Sequence, residues 1–484
     1  MIGIRANETH CPTLRAGVQL TLLVGVFALL GPREASAQTN SEVNSGIQFD
    51  FPLPGARSLG TGGAFVAIAD DATAAVANPA GLTALLRPEV SVEGRAQRFV
   101  SVTPLRGHAF GTATNIGVDT ISGVVNGETS DAAGGPSFAS AVFPRGRFAV
   151  GIYRHEQARF RADIVSEGPF MSNPGGADDR LPPFTGVMEL DIVNYGVAVA
   201  YRFNGGLAVG GGVAFSDFSI DSRVSIFYAP PDIFTIQPPS DRVRYTGVNQ
   251  VYGPVNFAES SRLGDILESG DDHGEAFNFG ALYRPAGNKW SVGGALRLNP
   301  EFQYGEGSIW GPAHPDPSFP GTPIVPPITV AFKVPDVYSI GAAFHATAGL
   351  LLTAQYDRVQ FSQLSRDLQD VNGPDGGEAH RAVVQGLKFP DSNQARFGSE
   401  YALVRGSRVT SFRIGTAYES AHRMAYTQTT PTRFTRLEVL YPPGEGQWHV
   451  TPGFGLAFPR FQIDSAVDLS SRTRTFSLST VVRF

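Results

Sequence analysis

The residues able to do acid–base or nucleophilic chemistry are scattered along this chain. His108, His155, His273, His345, His422 and His449 stand far apart, with no His-Glu-x-x-His spacing to present two imidazoles to one metal. No Gly-x-Ser-x-Gly run offers a serine at a strand-to-helix turn. A serine and a histidine on adjacent strands could still meet in space, which keeps a membrane-embedded hydrolase as a minor reading. Asp271-Asp272-His273 and the pair Asp367 and Asp370 suit either a divalent cation or an ordinary solvated loop end. Gly60, Gly62 and Gly63 make no phosphate loop, since no strand precedes them and no Lys-Ser/Thr follows. We therefore expect no catalytic residue, no metal and no cofactor.

What remains is oil in two long connections and charge on one strand parity. The first connection carries Phe227, Tyr228, Ile233, Phe234, Tyr252 and Phe257, and the second Trp310, Phe319 and Ile324. Burying each such side chain is worth about 1.5–3 kcal/mol, so these connections should fold over as a joint cluster. That cluster is either a docking groove for an apolar ligand or a loop core that covers whatever lies beneath. The charges are Arg202, Arg297, Arg396, Glu400 and Arg413, with Asp357, Asp464, Asp468 and Arg483 on the same parity. An arginine so placed can clamp a carboxylate with two parallel bonds, or pair with its neighbours and anchor the chain. The sequence does not choose between the two.

These residues need a scaffold, and composition narrows it. Of 484 residues, 42% are hydrophobic and 17% charged, with 56 Gly and 35 Pro. Soluble domains carry about 25% charged residues, so this chain is poor in charge. A net charge of −6 leaves no basic footprint for nucleic acid. The one cysteine, Cys11, excludes a disulfide framework. Arg5 and Arg15 precede an apolar stretch from Ala16 to Leu30, followed by Gly31-Pro32 and Ala35-Ser36-Ala37. A charged region, an apolar region and a small-residue cleavage site in that order predict a secretory signal peptide over 1–37.

Beyond residue 88 the chain alternates. Phe476, Leu478, Val482 and Phe484 share one parity, with Ser477, Ser479 and Arg483 on the other. Such alternation, with aromatic residues near strand ends, is the signature of membrane-barrel strands. The pattern places strands near 88–103, 134–144, 147–161, 187–204, 206–228, 273–286 and 288–305. It continues near 334–348, 350–365, 393–405, 407–422, 448–459, 461–472 and 473–484. An even number of strands with alternating short and long connections predicts an all-β fold: a 14-stranded antiparallel transmembrane β-barrel, 88–484. Residues 38–87 read as a compact small-residue plug with short helices, in which Asp70 or Asp71 caps an Ala-rich helix that Pro79 ends.

The run Gly55-Ala-Arg-Ser-Leu-Gly60-Thr-Gly62-Gly63-Ala-Phe65, with Asn78-Pro79-Ala80-Gly81-Leu82, resembles the N-terminal hatch of the long-chain fatty acid transporter (FadL/TodX) family of outer-membrane proteins. Lys333-Val-Pro-Asp-Val-Tyr-Ser-Ile-Gly341, Tyr356-Asp-Arg-Val359, Phe361-Ser362 and His449-Val-Thr-Pro-Gly-Phe-Gly-Leu-Ala457 are similar to the same family. The resemblance implies a barrel in the Gram-negative outer membrane plugged by a hatch, and passive uptake of hydrophobic compounds without a cofactor. It implies a loop groove, an inner pocket and a sideways exit at an inward kink in the third strand, with Gly60, Gly62, Gly63, Asn78, Pro79 and Ala80 in the moving part. The expected partners are hydrophobic small molecules, outer-membrane lipid and, through the C-terminal strand, the barrel-assembly machinery. We expect a monomer that binds no nucleic acid. The alternatives are a barrel-type shuttle of a secretion system and a general porin.

Overall fold

A computed structural model describes residues 49–484, except 110–111, 116, 173–177, 181, 229–252, 311–322, 366–385 and 428–440. The expected signal peptide lies outside the described residues. A closed barrel of 14 antiparallel strands forms the body of the chain. In order they are β1 Glu89–His108, β2 Gly123–Arg145, β3 Phe148–Ser166, β4 Phe184–Arg202, β5 Leu207–Phe227 and β6 Arg262–Tyr283. Then β7 runs Trp290–Leu298 and on through Glu301–Trp310, and β8 runs Pro323–Lys333 and on through Val337–His345. The ring is completed by β9 Leu350–Val359, β10 Ser392–Arg405, β11 Arg408–Glu419, β12 Gln447–Ala457, β13 Phe461–Leu469 and β14 Thr473–Arg483. β14 closes on β1 in the register Glu89↔Arg483 through Phe99↔Thr473.

Every expected strand is present and in order, but several run further toward the long-loop end. β1 continues to His108, β2 starts at Gly123, β3 reaches Ser166 and β6 starts at Arg262. In these extensions the outward face is polar, as at Asp217, Asp271 and His273 on β5 and β6, so the lipid-facing half of the alternation is missing. Backbone pairing continues without it. β7 breaks at Asn299-Pro300 and β8 at Val334-Pro335-Asp336, where proline has no N–H to donate.

The wall is inverted relative to a water-soluble sheet. Outward Ile340 and Ile414 are each 59% exposed, whereas inward Ser477 is 0% and Asp464 2% exposed. A continuous apolar exterior over a polar interior belongs in lipid. At the long-loop edge of this belt two of the outward ladders end on aromatic cross-strand pairs, Tyr195↔Phe215 and Tyr418↔Trp448. Phe148 against Tyr201 and Tyr283 against Trp290 mark the short-turn edge. Among the described residues no helix is long and apolar enough to cross a membrane, so the strands do it.

Residues 49–85 lie within the lumen, and Leu86 and Arg87 emerge exposed before β1. They form α1 Ala56–Gly60, α2 Ala74–Ala77 and a 3₁₀ turn Pro79–Ala84. Phe65, Ala67, Ile68, Ala72 and Leu82 join inward Phe138, Val142, Ala198, Ala214 and Ala276 in one buried cluster. Close approach is possible because inward wall positions are glycine. A Cβ on Gly293 would sit 2.4 Å from the Val66 carbonyl oxygen, and one on Gly415 2.1 Å from the Gly62 nitrogen. The expected cap of α2 is corrected: Thr73 is the N-cap, and Asp71 instead accepts from the Thr73 N–H at 2.9 Å. Asp70 is turned away to pair with Arg57. Asn78 is extended, as its following proline requires, and its side chain caps the 3₁₀ turn.

Candidate functional site

A closely packed, buried apolar cluster occupies the long-loop half of the lumen, a chamber whose interior is filled by the side chain of Phe49. Its wall is made of inward residues of the strand extensions, including Phe160 and Ile164 (β3), Leu190 and Ile192 (β4), Phe218 and Ile220 (β5), Phe302 (β7) and Phe332 (β8). The β3 contribution depends on a bulge. The β3–β4 register shifts between Glu156 and Ala158, which turns Ala158, Phe160, Ala162 and Ile164 inward where strict alternation from Tyr153 would have turned them out. Phe49, 1% exposed, stands in the middle of the chamber, its ring centroid 5.1 Å from Phe160 and 5.7 Å from Phe332. Phe361 stacks on His422 at 4.0 Å, and the His422 imidazole lies 2.9 Å from the Phe49 carbonyl oxygen.

Beneath the chamber runs a polar band. Arg396 Nε donates to Asp357 at 2.7 Å and its Nη2 to Gln394 Oε1 at 2.5 Å; Gln394 in turn donates to Glu419. His449 lies 3.0 Å from Asp468 and 3.5 Å from Glu419. Gln355 Oε1 accepts from the Phe65 and Val66 N–H groups, each at 2.8 Å, tying the band to the N-terminal segment. Asp50 faces this band. Burial, and then the charge of Glu419, push its carboxyl above the ordinary range, against the opposing pull of Arg396 and His449. Asp468 adds a further push upward. Because the seated state raises this pKa, the contribution of Asp50 is fully present below the ordinary carboxylate value and is lost as pH rises through the raised one. Raising pH from about 4 should therefore loosen the seat of residues 49–54. Labelling Leu53→Cys with a thiol reagent measures this: accessibility should climb with pH and become flat in Asp50→Asn.

Ion pairs fasten the same segment on the short-turn side. Arg57 pairs with Asp70 and, at 3.0 Å, with Glu400; Arg413 holds Glu400 at 2.6 Å and Asp464 at 2.7 Å. Burial opposes the Arg57 charge, yet Asp70, Glu400 and Asp71 together hold its guanidinium well above its ordinary value. Asn78 fastens the opposite side, its Nδ2 donating to Val66 O at 2.8 Å and to Ala281 O of β6 at 3.1 Å. Pro79 packs over Gly210 and Gly280, and Ala80 against Ala208 and Leu282. Gly62 and Gly63 have φ of 67° and 75°, the left-handed region, which explains glycine there. Gly60 lies with its Cα against Gly453.

Among the described residues the wall has a seam between β2 and β3. The β2–β3 ladder runs from Arg145↔Phe148 to Phe138↔His155 and stops, although β2 continues with β1 and β3 with β4. Beyond that point β3 bends inward, and Thr103 and Leu105 of β1 bond to Val165 and Glu167. Two arginines span the seam: Arg154 donates to Pro136 O at 2.8 Å and Arg159 to Gly134 O at 3.1 Å.

Of the residues singled out in the long connections, Phe227 and Phe257 meet edge to face at 5.2 Å. Phe227 is buried at the end of β5, Tyr228 follows it, and Phe257 is 37% exposed. Trp310 and Ile324 lie on the backbone of β7 and β8; Ile233, Phe234, Tyr252 and Phe319 lie outside the described residues. Arg297, Arg396, Glu400 and Arg413 are lumen charges. Arg202 is not: as the last residue of β4 it is exposed at the short-turn rim, where its long side chain reaches water. Arg297 lines the polar band and a neighbouring pocket with His155, Gln157 and Asn194. Among the described residues no ion pair engages Arg297. Asp271 and Asp272 are separate: Asp272 accepts from the Gln303 N–H, and His273 pairs with Asp217 across β5 and β6. The chamber itself was missed in the sequence; the inward phenylalanines at 160, 218, 302 and 332 were its only signal.

No family model and no curated protein matches this sequence. Solved structures do. The chain is similar to a Pseudomonas aeruginosa FadL homologue, with 14% identity over 90% of this chain and 99% of that one, at a TM-score of 0.57. It is similar also to the Pseudomonas putida toluene transporter TodX (15% identity, 90% and 98% covered, TM-score 0.51). A third is the Ralstonia pickettii toluene transporter TbuX (15%, 90% and 100%, TM-score 0.50). Sequence divergence this deep leaves the shared architecture as the common property, and the chain has the fold of the FadL-type barrels.

Proposed function

We propose that this protein is a passive channel for hydrophobic compounds in the Gram-negative outer membrane, a transporter and not an enzyme. The observation that carries the reading is the buried apolar cluster around Phe49, above a lumen occupied by residues 49–85. A water-filled pore does not need such a cluster, whereas an oily solute needs a desolvated path. Among barrels of like fold are toluene transporters, which supports the same substrate class. The route runs from the long-loop end near Phe227 and Phe257, through the chamber, and out at the β2–β3 seam into the lipid. The N-terminal segment acts as the hatch, with Gly60, Gly62, Gly63, Asn78, Pro79 and Ala80 at its contacts with the wall. In this reading the signal peptide directs export, the C-terminal strand ending at Phe484 is read by the barrel-assembly machinery, and the barrel works as a monomer. Arg396 and Glu400 are bonded to the hatch and Arg413 is paired with Glu400 and Asp464, which leaves Arg297 to meet any carboxylate a ligand carries.

Proteoliposomes test the proposal. The intact protein should take up toluene or a long-chain fatty acid saturably, with little ion conductance. A variant lacking residues 38–87 should conduct ions and lose saturation. Large conductance by the intact barrel would favour a porin, and co-purification with a secreted protein a shuttle; absence of saturable uptake would sink the channel.

A further inference from the structure

At the long-loop edge of the lipid-facing belt, the sector shared by β14 and β1 sets two cations opposite each other. On the outward face shared by β14 and β1 the ladder climbs through Val90↔Val482, Val92↔Thr480, Gly94↔Leu478 and Ala96↔Phe476. The next outward pair is Arg98↔Arg474, both exposed. The corresponding ladders on β4–β5 and β11–β12 end on Tyr195↔Phe215 and Tyr418↔Trp448. Two guanidiniums directly opposite each other on one face of a sheet repel and cost stability unless an anion lies between them. Among the described residues neither is paired with a carboxylate. Arg98 Nη2 donates to Ser130 Oγ on β2 at 2.7 Å, and Arg474 has the apolar, exposed Leu469 as its β13 partner. The nearest outward acid on β2 is Glu128, two residues further from the membrane than Ser130.

We propose that Arg98, Arg474 and the Ser130 hydroxyl form a binding site for the phosphate of an anionic lipid in the outer leaflet. Position decides the source of the phosphate. The apolar residues directly below the pair, Ala96, Phe476 and Leu478, offer a surface for acyl chains, and guanidiniums at the edge of that surface meet a head group at its own depth. Planar guanidiniums suit phosphate oxygens, which they can bind through paired N–H bonds. The site rests on the outer-membrane location proposed above, but not on what the barrel transports.

The test uses the full barrel in phosphatidylcholine nanodiscs, with bis-phosphorylated lipid A as the probe. Native mass spectrometry and the temperature at which the folded band is lost on a gel provide two readouts. Lipid A should bind the wild-type protein and raise that temperature. Arg98→Gln with Arg474→Gln should weaken binding by about tenfold, the scale of one or two lost charge-assisted bonds. Without lipid A the double variant should be no less stable than the wild type, since the repulsion is gone, which separates a lost ligand from a damaged fold. Dephosphorylated lipid A should bind both proteins alike. Equal affinity of wild type and double variant for lipid A would overturn the site. So would a rise produced by inorganic phosphate alone equal to that produced by lipid A, since the ligand would then not be a lipid.

Discussion

Gly293→Leu will turn a silent barrel into a conducting one. The Gly293 position faces the lumen, and a Cβ there falls 2.4 Å from the Val66 carbonyl oxygen and 3.0 Å from Ala67 Cα. Both are backbone atoms, so no rotamer change relieves the clash. Overpacking a well-filled interior costs typically about 1–3 kcal/mol, and a leucine against backbone belongs at or above the top of that range. The wall does not depend on this contact, because β7 is held on both sides by its ladders to β6 and β8. Relief therefore comes from the hatch, which loses the seat of residues 65–67 and with it the two bonds to Gln355. Planar bilayers should record stable ion conductance from Gly293→Leu and none from the parent. Gly294→Leu is the matched control: its side chain would point the other way, with only Ser339 O nearby at 3.6 Å, and it should stay closed. If Gly293→Leu folds and remains silent, the N-terminal segment is not the barrier.

The sequence showed the belt clearly and the chamber hardly at all, and the reason is the solvent on each side of the wall. Where lipid lies outside, apolar and polar residues must alternate, and strands such as 473–484 can be read directly. Above the belt the outward sides of β2 and β6 meet water rather than lipid, so Gly123–Gly135 and Arg262–Asp272 carry no such rhythm. At Gln157 one extra residue reverses the parity of β3, and a reading that counts by twos puts Phe160 and Ile164 in the wrong place. Density of oil drew attention to the long connections, although the residues that close around Phe49 come singly from many strands. The burial of the N-terminal segment in the lumen was legible for a different reason. The segment's small residues and the inward glycines of the wall are two sides of one steric requirement, and each is visible in the chain by itself. Parity also placed Arg202 in the lumen, but at the end of a strand the next available medium is water.

On the proposed route Phe49 stands in the path of an apolar ligand, and removing its ring should tighten ligand binding. Its side chain is 1% exposed and surrounded by Phe160, Phe332 and Phe389. A ligand that enters the chamber has to displace this ring or pack around it, so part of its own burial is offset by the ring's loss of contacts. Burial of one large apolar side chain is worth about 1.5–3 kcal/mol. Phe49→Ala should thus lower the dissociation constant of a fluorescent probe such as N-phenyl-1-naphthylamine by about tenfold or more. The neighbouring position gives the opposite sign. Phe332 belongs to β8 and is 4% exposed, and Phe332→Asp places an unpaired carboxylate in the chamber, which should abolish probe binding while the folded band on a gel persists. An unchanged affinity in Phe49→Ala would mean that the probe binds elsewhere, and the chamber would lose its role. The contrast also separates a gate from a core: a ring that merely fills space would, when removed, cost stability without improving binding, whereas a ring that competes with cargo must do both.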